Sequence, residues 1–250
     1  MQKSSMKSEN IIRLNKFLAH AGIASRRKCD DYIKQGLVTV NGELITALGV
    51  SIDREKDTVT FKGKEIKYKE PGVYLVLNKP AGVVSTLKDE FKRDTIMNYI
   101  DIPQRVYPVG RLDYETTGVL LLTNDGELTN LLLHPRYKVI KVYHTLINKR
   151  VRPADLYYLR KGVDLGVEHT LPCEINEIRI IDNQSFLEIK LRQGINRQIR
   201  RMFELFGYEV EELERISIAG ITAHGLKRGE WRYLSDKEIS HLKNEVGYED

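Results

Sequence analysis

Long apolar runs are missing from this chain. None reaches the roughly 18–20 residues that a bilayer span needs, so no membrane-spanning segment is expected. No secretory leader is expected either. Met1 to Asn10 are polar and carry no apolar signal core; they read as a flexible tail. Cysteine is scarce. Cys29 and Cys173 stand alone without metal-ligand spacing, which predicts reduced thiols in a cytoplasmic protein. The six histidines are scattered, with no His-x-x-x-His and no Cys-x-x-Cys, so no metal is expected. There is no internal repeat and no low-complexity segment. What remains is 250 residues, 41% hydrophobic and 30% charged: a soluble globular chain, long enough for one large or two modest domains.

The net charge of +5 is unevenly placed. Residues 1–69 hold 14 Lys and Arg against 8 Asp and Glu, a net of +6; the remaining 26 basic and 27 acidic residues leave −1. A basic end joined to a near-neutral partner suggests a nucleic-acid contact module beside a second domain.

Leu14, Phe17, Leu18 and Ala21 recur at helical spacing in a helix over Arg13–Ala21, stopped by Gly22. Ser25 is placed to cap a second helix through Gln35, ended by Gly36. Arg26, Arg27 and Lys28 fall in its first turn, where they oppose the helix dipole, a tolerable cost if they serve a phosphate backbone. β-prone runs on either side of Asn41-Gly42 predict a hairpin, and Asp57–Phe61 with Glu65–Tyr68 around Lys62-Gly63-Lys64 predict another. Lys69-Glu70-Pro71-Gly72 is a polar breaker and the best boundary.

Beyond it, Val73–Leu77 is a strand, closed by the turn Asn78-Lys79-Pro80-Ala81-Gly82, with Lys79 expected as an exposed corner and not as a catalytic group. The most distinctive stretch is Gly110-Arg111-Leu112-Asp113-Tyr114-Glu115-Thr116-Thr117-Gly118, which runs into Val119-Leu120-Leu121-Leu122-Thr123-Asn124-Asp125-Gly126. A charged loop pinned between glycines leads into a strand with the composition of one buried on both faces. A carboxylate mounted there sits on a rigid support. Gly126–Leu133 reads as a short helix. Lys138–Ile147 alternates, with Lys141, Tyr143 and Thr145 on one face. Ser185–Leu191 is a strand leading to Asn196, a candidate N-cap for a helix that buries Ile199, Met202, Phe203 and Phe206 and shows Arg197, Arg200 and Arg201 on another face. Three arginines in one turn repel unless something anionic sits among them. Ser235-Asp236-Lys237-Glu238 is a capping box for a last helix.

Three of these strings together resemble the pseudouridine synthases that modify ribosomal RNA: Asn-Lys-Pro-x-Gly at 78–82, Gly-Arg-Leu-Asp through Asn-Asp-Gly at 110–126, and Gly-x-Asn-Arg-Gln-Ile-Arg-Arg-Met at 194–202, with Lys-x-Tyr at 141–143 between them. Arg13-Leu14-Asn15-Lys16-Phe17-Leu18-Ala19, Ala24-Ser25-Arg26-Arg27-Lys28 and Gly36–Gly42 resemble the alpha-L RNA-binding module. The resemblance implies an α+β protein: a 1–10 tail, an alpha-L module over 11–69, and a catalytic domain over 72–246 with a mixed, largely antiparallel sheet flanked by helices. It implies no metal and no cofactor, a monomer, no membrane, and ribosomal RNA as partner, met free or in a ribosome-assembly intermediate. Large-subunit (23S) RNA is expected over small-subunit (16S) RNA, because Asp113–Gly118 and Gln193–Val210 are most like the large-subunit enzymes.

By the same resemblance Asp113 is the catalytic carboxylate, Tyr143 stacks on the uracil, Arg200 pairs with Asp113, and Arg111 helps extrude the base. Arg197 and Arg201, with Arg13, Lys16, Arg26, Arg27 and Lys28 of the module, would contact RNA. Breaking and remaking a bond at the anomeric carbon requires the nucleotide out of its stack, and therefore a pocket with an aromatic platform. Asp113 could either attack the sugar or take its 2′ proton. Small-subunit or transfer RNA targets stay open, as does a non-catalytic RNA-binding role in ribosome assembly. A glycosidase-like hydrolase would need a second carboxylate flanking the bond, for which Glu115 is the candidate.

Overall fold

The computed structural model describes residues 10–67, 72–166 and 168–248. The expected N-terminal tail, Tyr68 and the breaker residues Lys69, Glu70 and Pro71 lie outside the described residues, apart from Asn10. The chain divides into two compact units, Met1–Gly72 and Val73–Asp250. No helix among the described residues is long and apolar enough to cross a membrane.

The first unit runs β1 (Ile11–Arg13), α1 (Leu14–His20), α2 (Arg26–Lys34), β2 (Val38–Val40), β3 (Glu43–Ile45), β4 (Ser51–Asp53), β5 (Val59–Phe61) and β6 (Lys64–Ile66). Leu14, Phe17, Leu18, Cys29, Ile33, Val38, Ile52 and Val59 form its core. Ser25 caps α2 by accepting from the Lys28 N–H at 3.2 Å. Asn41 and Gly42 both take positive φ, as a two-residue hairpin turn requires, and join β2 to β3. Lys62 and Gly63 do the same between β5 and β6. One element departs from expectation. Arg13 does not open the first helix but ends β1, which pairs antiparallel with β4. Three-residue strands are too short to leave a period in the sequence.

The second unit continues with β7 (Tyr74–Lys79), β8 (Tyr107–Pro108), β9 (Thr117–Thr123), α3 (Gly126–Leu133), β10 (Lys141–Ile147), α4 (Pro153–Lys161), β11 (Glu174–Ile181), β12 (Gln184–Leu191), α5 (Gln198–Glu204), β13 (Val210–Ile218), β14 (Ile221–Thr222), β15 (Trp231–Tyr233) and α6 (Asp236–Glu245). Its sheet has the order β11-β12-β10-β13-β9-β7-β15, with β14 beside β13 and β8 beside β9. All pairings are antiparallel except β9 with β13. This is the mixed, largely antiparallel sheet of an α+β protein.

β9 lies mid-sheet, and Val119, Leu120, Leu121 and Leu122 are all buried, which explains the unbroken apolar run. Its parallel contact with β13 needs Gly118. A Cβ there would come within 2.2 Å of the Arg215 carbonyl oxygen, and its φ of +99° suits glycine. α5 starts differently from expectation. Asn196 is not its cap: Arg197 holds that position in the left-handed region, φ 50° and ψ 33°, with no side-chain cap. Gln198 covers the entry instead, its Oε1 accepting from the Ile195 N–H at 3.2 Å.

Candidate active site

Asp113 stands on the loop that enters β9, which is fixed by the Gly82 N–H on the Tyr114 carbonyl at 3.0 Å and by three further attachments. Ser85 Oγ donates to the Leu112 carbonyl at 2.9 Å and accepts from the Leu112 N–H at 3.2 Å. The Thr116 N–H bonds the Asp113 carbonyl at 3.1 Å. The third is Lys79, the last residue of β7 and fully buried. Its Nζ donates to the carbonyls of Pro80 at 2.9 Å, Asp113 at 3.2 Å, Tyr114 at 3.2 Å and Thr116 at 2.9 Å. Burial pushes its ammonium down to about 8, with Glu115 and Asp113 pulling the other way. The expected exposed corner is therefore the clamp under the loop. Lysine is seldom buried, and only an array of carbonyls from a distant segment makes it so here.

Lys79→Met keeps the volume and removes the donor. It leaves buried carbonyls short of a partner, at ~1–3 kcal/mol for such a loss. The melting temperature should fall by several degrees, at about 2–4 °C per kcal/mol for a chain of this size. Activity should fall ~10²-fold, because a displacement of about 1 Å in a reacting group suffices for that. Thermal melts and single-turnover rates check both; a parental melting temperature would contradict the clamp.

A cavity of about 840 Å³ opens over this loop, lined among others by Arg111, Asp113, Tyr114, Lys141, Tyr143 and Arg197. Asp113 is half-buried, and its carboxylate has no hydrogen bond or ion pair among the described residues. Arg111 is exposed at the rim. Tyr143 lies on β10, half-buried, and packs against two of the core clusters. Lys141 precedes it by two residues on the same face and is buried.

The three arginines of the Asn-Arg-Gln-Ile-Arg-Arg string part company. Arg197 is exposed and lines the cavity. Arg201 Nη2 donates to the Leu165 carbonyl at 2.5 Å. Arg200 Nη1 donates to the Val210 carbonyl at 2.7 Å, while its Nε is buried without a partner among the described residues. Burial first, then the Arg197 cation, lowers its pKa; Asp113 and Glu115 oppose them. The expected pairing of Arg200 with Asp113 is thus absent as a direct contact. The guanidinium is held by the Val210 carbonyl and senses Asp113 only through its charge.

In the first unit Arg26, Arg27 and Lys28 are exposed on the first turn of α2, where Lys28 also reaches Asp31 at 3.7 Å. Arg13 is exposed and bonds the Gly49 carbonyl; Lys16 is half-buried on α1.

A second carboxylate suited to hydrolysis is not at hand among the described residues. Glu115 is exposed and does not line the cavity. Asp89 does, but its Oδ1 accepts from Arg93 Nη2 at 2.7 Å and its Oδ2 from the backbone of Phe91 and Arg93, which holds it down to about 2. A glycosidase acid needs the opposite shift. Glu168 at the rim is exposed and accepts from Gln193. No three His, Cys, Asp or Glu side chains among the described residues gather as metal ligands.

Sequence reasoning missed Lys79, Lys141 and Arg215. The last is buried on β13, its Nε bonding the Val119 carbonyl at 2.7 Å and its Nη2 unpartnered among the described residues. Lys141 had a signal, its strand face shared with Tyr143. Arg215 had none, since nothing local marks a buried arginine.

Comparison with known proteins gives a consistent picture. A family profile described as RNA pseudouridylate synthase matches residues 73–205, and one described as S4 domain matches residues 12–59. The chain is 41% identical over 235 residues to "Ribosomal large subunit pseudouridine synthase B" of Bacillus subtilis (strain 168), covering 92% of this chain and 95% of the relative. It is 38% identical over 239 residues to "Dual-specificity RNA pseudouridine synthase RluF" of Escherichia coli (strain K12), covering 95% and 80%. A solved structure described as "Crystal structure of pseudouridylate synthase" superposes with a TM-score of 0.66 at 30% identity, covering 92% of this chain and 99% of that one.

Proposed function

The chain belongs to the RNA pseudouridylate synthase family, and on that premise we propose that it converts a uridine of large-subunit ribosomal RNA to pseudouridine at the Asp113 cavity. The observation that carries the reading is the mounting of Asp113. A carboxylate without a partner of its own among the described residues opens into a cavity, on a loop that Lys79 and Ser85 hold in place, with Tyr143 in the same wall. A pyrimidine turned out of its stack can lie on Tyr143 with its sugar at Asp113. Arg200 supplies positive charge toward the carboxylate, and Arg111 and Arg197 stand at the mouth to meet phosphates or the vacated base stack. The large subunit is favoured because the Bacillus subtilis relative, matched almost end to end, carries that substrate in its name. Purified protein should form pseudouridine in a large-subunit RNA transcript and not in small-subunit or transfer RNA transcripts. Turnover confined to either of the latter would overturn the choice of RNA.

We assign RNA anchoring to residues 11–69 and chemistry to residues 72–246. The basic excess lies in the former, and Arg26, Arg27 and Lys28 are exposed there. Neutralising these three together should weaken binding to every RNA sequence. It should also flatten the log–log salt dependence by roughly two to three units, at about 0.7–0.9 per lost phosphate contact. The single-turnover rate at saturating RNA should hardly change. A collapse of that rate with an unchanged salt slope would show that these residues orient the active site instead of anchoring RNA.

A further inference from the structure

Lys141 is the buried ionisable group of the cavity to which the reading above gives no task. It opens β10, is 8% exposed, and lines the same cavity as Asp113 and Tyr143. Its ammonium has one long contact, 3.4 Å to the Val139 carbonyl, and no ion pair among the described residues. The charged neighbour that acts on it is a second cation, Arg215, itself 3% exposed and with an Nη2 that has no partner among the described residues. Two buried cations without a counter-charge are unfavourable by themselves, and such an arrangement persists where an anion is to be received.

The spacing says which anion. Lys141 and Tyr143 are two residues apart on one face of a strand, about 7 Å at ~3.4 Å per residue. A pyrimidine lying on the Tyr143 ring therefore presents its edge, not its face, toward the ammonium. The edge atoms of uracil that accept hydrogen bonds are O2 and O4. We propose that Lys141 is a catalytic residue that stabilises the uracil as it departs from the sugar, by donating to the carbonyl oxygen at that edge.

This rests on the roles given above to Asp113 and Tyr143. The C1′–N1 bond breaks and its electron pair goes to uracil N1 and the conjugated O2 and O4. Asp113 answers the sugar, by bonding C1′ or by taking the 2′ proton. The base turns about its N3–C6 axis, which exchanges N1 with C5 and O2 with O4. The C5 electron pair then forms the C1′–C5 bond as Asp113 leaves C1′ or returns the proton to C2′, which restores it; water takes the C5 proton and supplies one to N1. Because O4 takes the place of O2 in that turn, one fixed ammonium serves the base before and after rotation. Burial, and then the Arg215 cation, bring its pKa down to about 8, so at neutral pH it is mainly the charged donor the step needs. A dry wall makes such a preorganised charge count for more than it would in water.

The test compares the wild-type chain with Lys141→Met and Lys141→Arg. The probe is a pool of large-subunit, small-subunit and transfer RNA transcripts, made with uridine or with 5-fluorouridine. Base detachment is read as loss of the starting nucleotide at saturating enzyme. Fluorine makes the departing ring a better-stabilised anion, so help from Lys141 matters less. Lys141→Met should lose about 10²–10³-fold on uridine. It should lose at least ~10-fold less on 5-fluorouridine, with RNA affinity unchanged within about three-fold. Lys141→Arg, which keeps the charge, should stay within about ten-fold of wild type on both and guards against a folding artefact. Equal losses on the two pools, or a loss confined to affinity, would overturn the proposal while leaving the isomerase reading intact. Wild-type turnover confined to small-subunit or transfer RNA would overturn the large-subunit reading, and the two-pool comparison would still judge Lys141. Retained turnover in Asp113→Asn would break the premise itself.

Discussion

Asp113→Asn is expected to abolish pseudouridine formation, by about 10⁴-fold at the upper range for removing a positioned acid–base or nucleophilic group. The amide is nearly isosteric, so RNA affinity and melting temperature should stay close to wild type. The structural attachments of this residue run through its backbone: its carbonyl accepts from Lys79 Nζ and the Thr116 N–H. The carboxylate itself holds nothing in place among the described residues. That separation is what makes the substitution informative, since it removes the chemistry without loosening the loop. Single-turnover kinetics with matched binding measurements check it. Wild-type-like turnover would remove Asp113 from the mechanism.

Arg200→Ala should cost about 10²–10³-fold in rate, the range for losing one preorganised charge or donor at a reacting group. Arg201→Ala should cost less than ~10-fold, because Arg201 is spent on the Leu165 carbonyl while the charge of Arg200 reaches Asp113 and Glu115. Arg200→Lys should recover little. A lysine head cannot both hold the Val210 carbonyl and present a second donor in a fixed plane, which the guanidinium does with Nη1 bound and Nε free. Equal effects at positions 200 and 201, measured as saturating single-turnover rates, would reduce both to phosphate contacts.

What could be read in advance was whatever is decided locally. The run Val119–Leu122 announces β9 because a mid-sheet strand must be apolar on both faces. Ser25 and Ser235 mark helix starts because a cap bonds its own first turn. Alternation along β10 put Lys141 and Tyr143 on one face. Features set by distant segments stayed hidden. Lys79 is buried by carbonyls 34 to 37 residues further on. Arg215 bonds a carbonyl 96 residues before it. The direction of Arg200 depends on Val210, which only the packing of α5 on β13 brings near. β11 is an edge strand with mostly exposed residues, so it has no alternation to notice. The residues that prepare the site are thus the ones the sequence hides best, because a buried charge becomes tolerable only through partners from elsewhere in the fold.

The central claim is tested most directly by mapping pseudouridines in all stable RNA from a strain lacking this gene and from its parent. Loss of pseudouridine at one or a few uridines of large-subunit ribosomal RNA is predicted, restored by the wild-type gene and not by the Asp113→Asn variant. An unchanged ribosomal RNA map, with losses confined to transfer RNA or none at all, would contradict it.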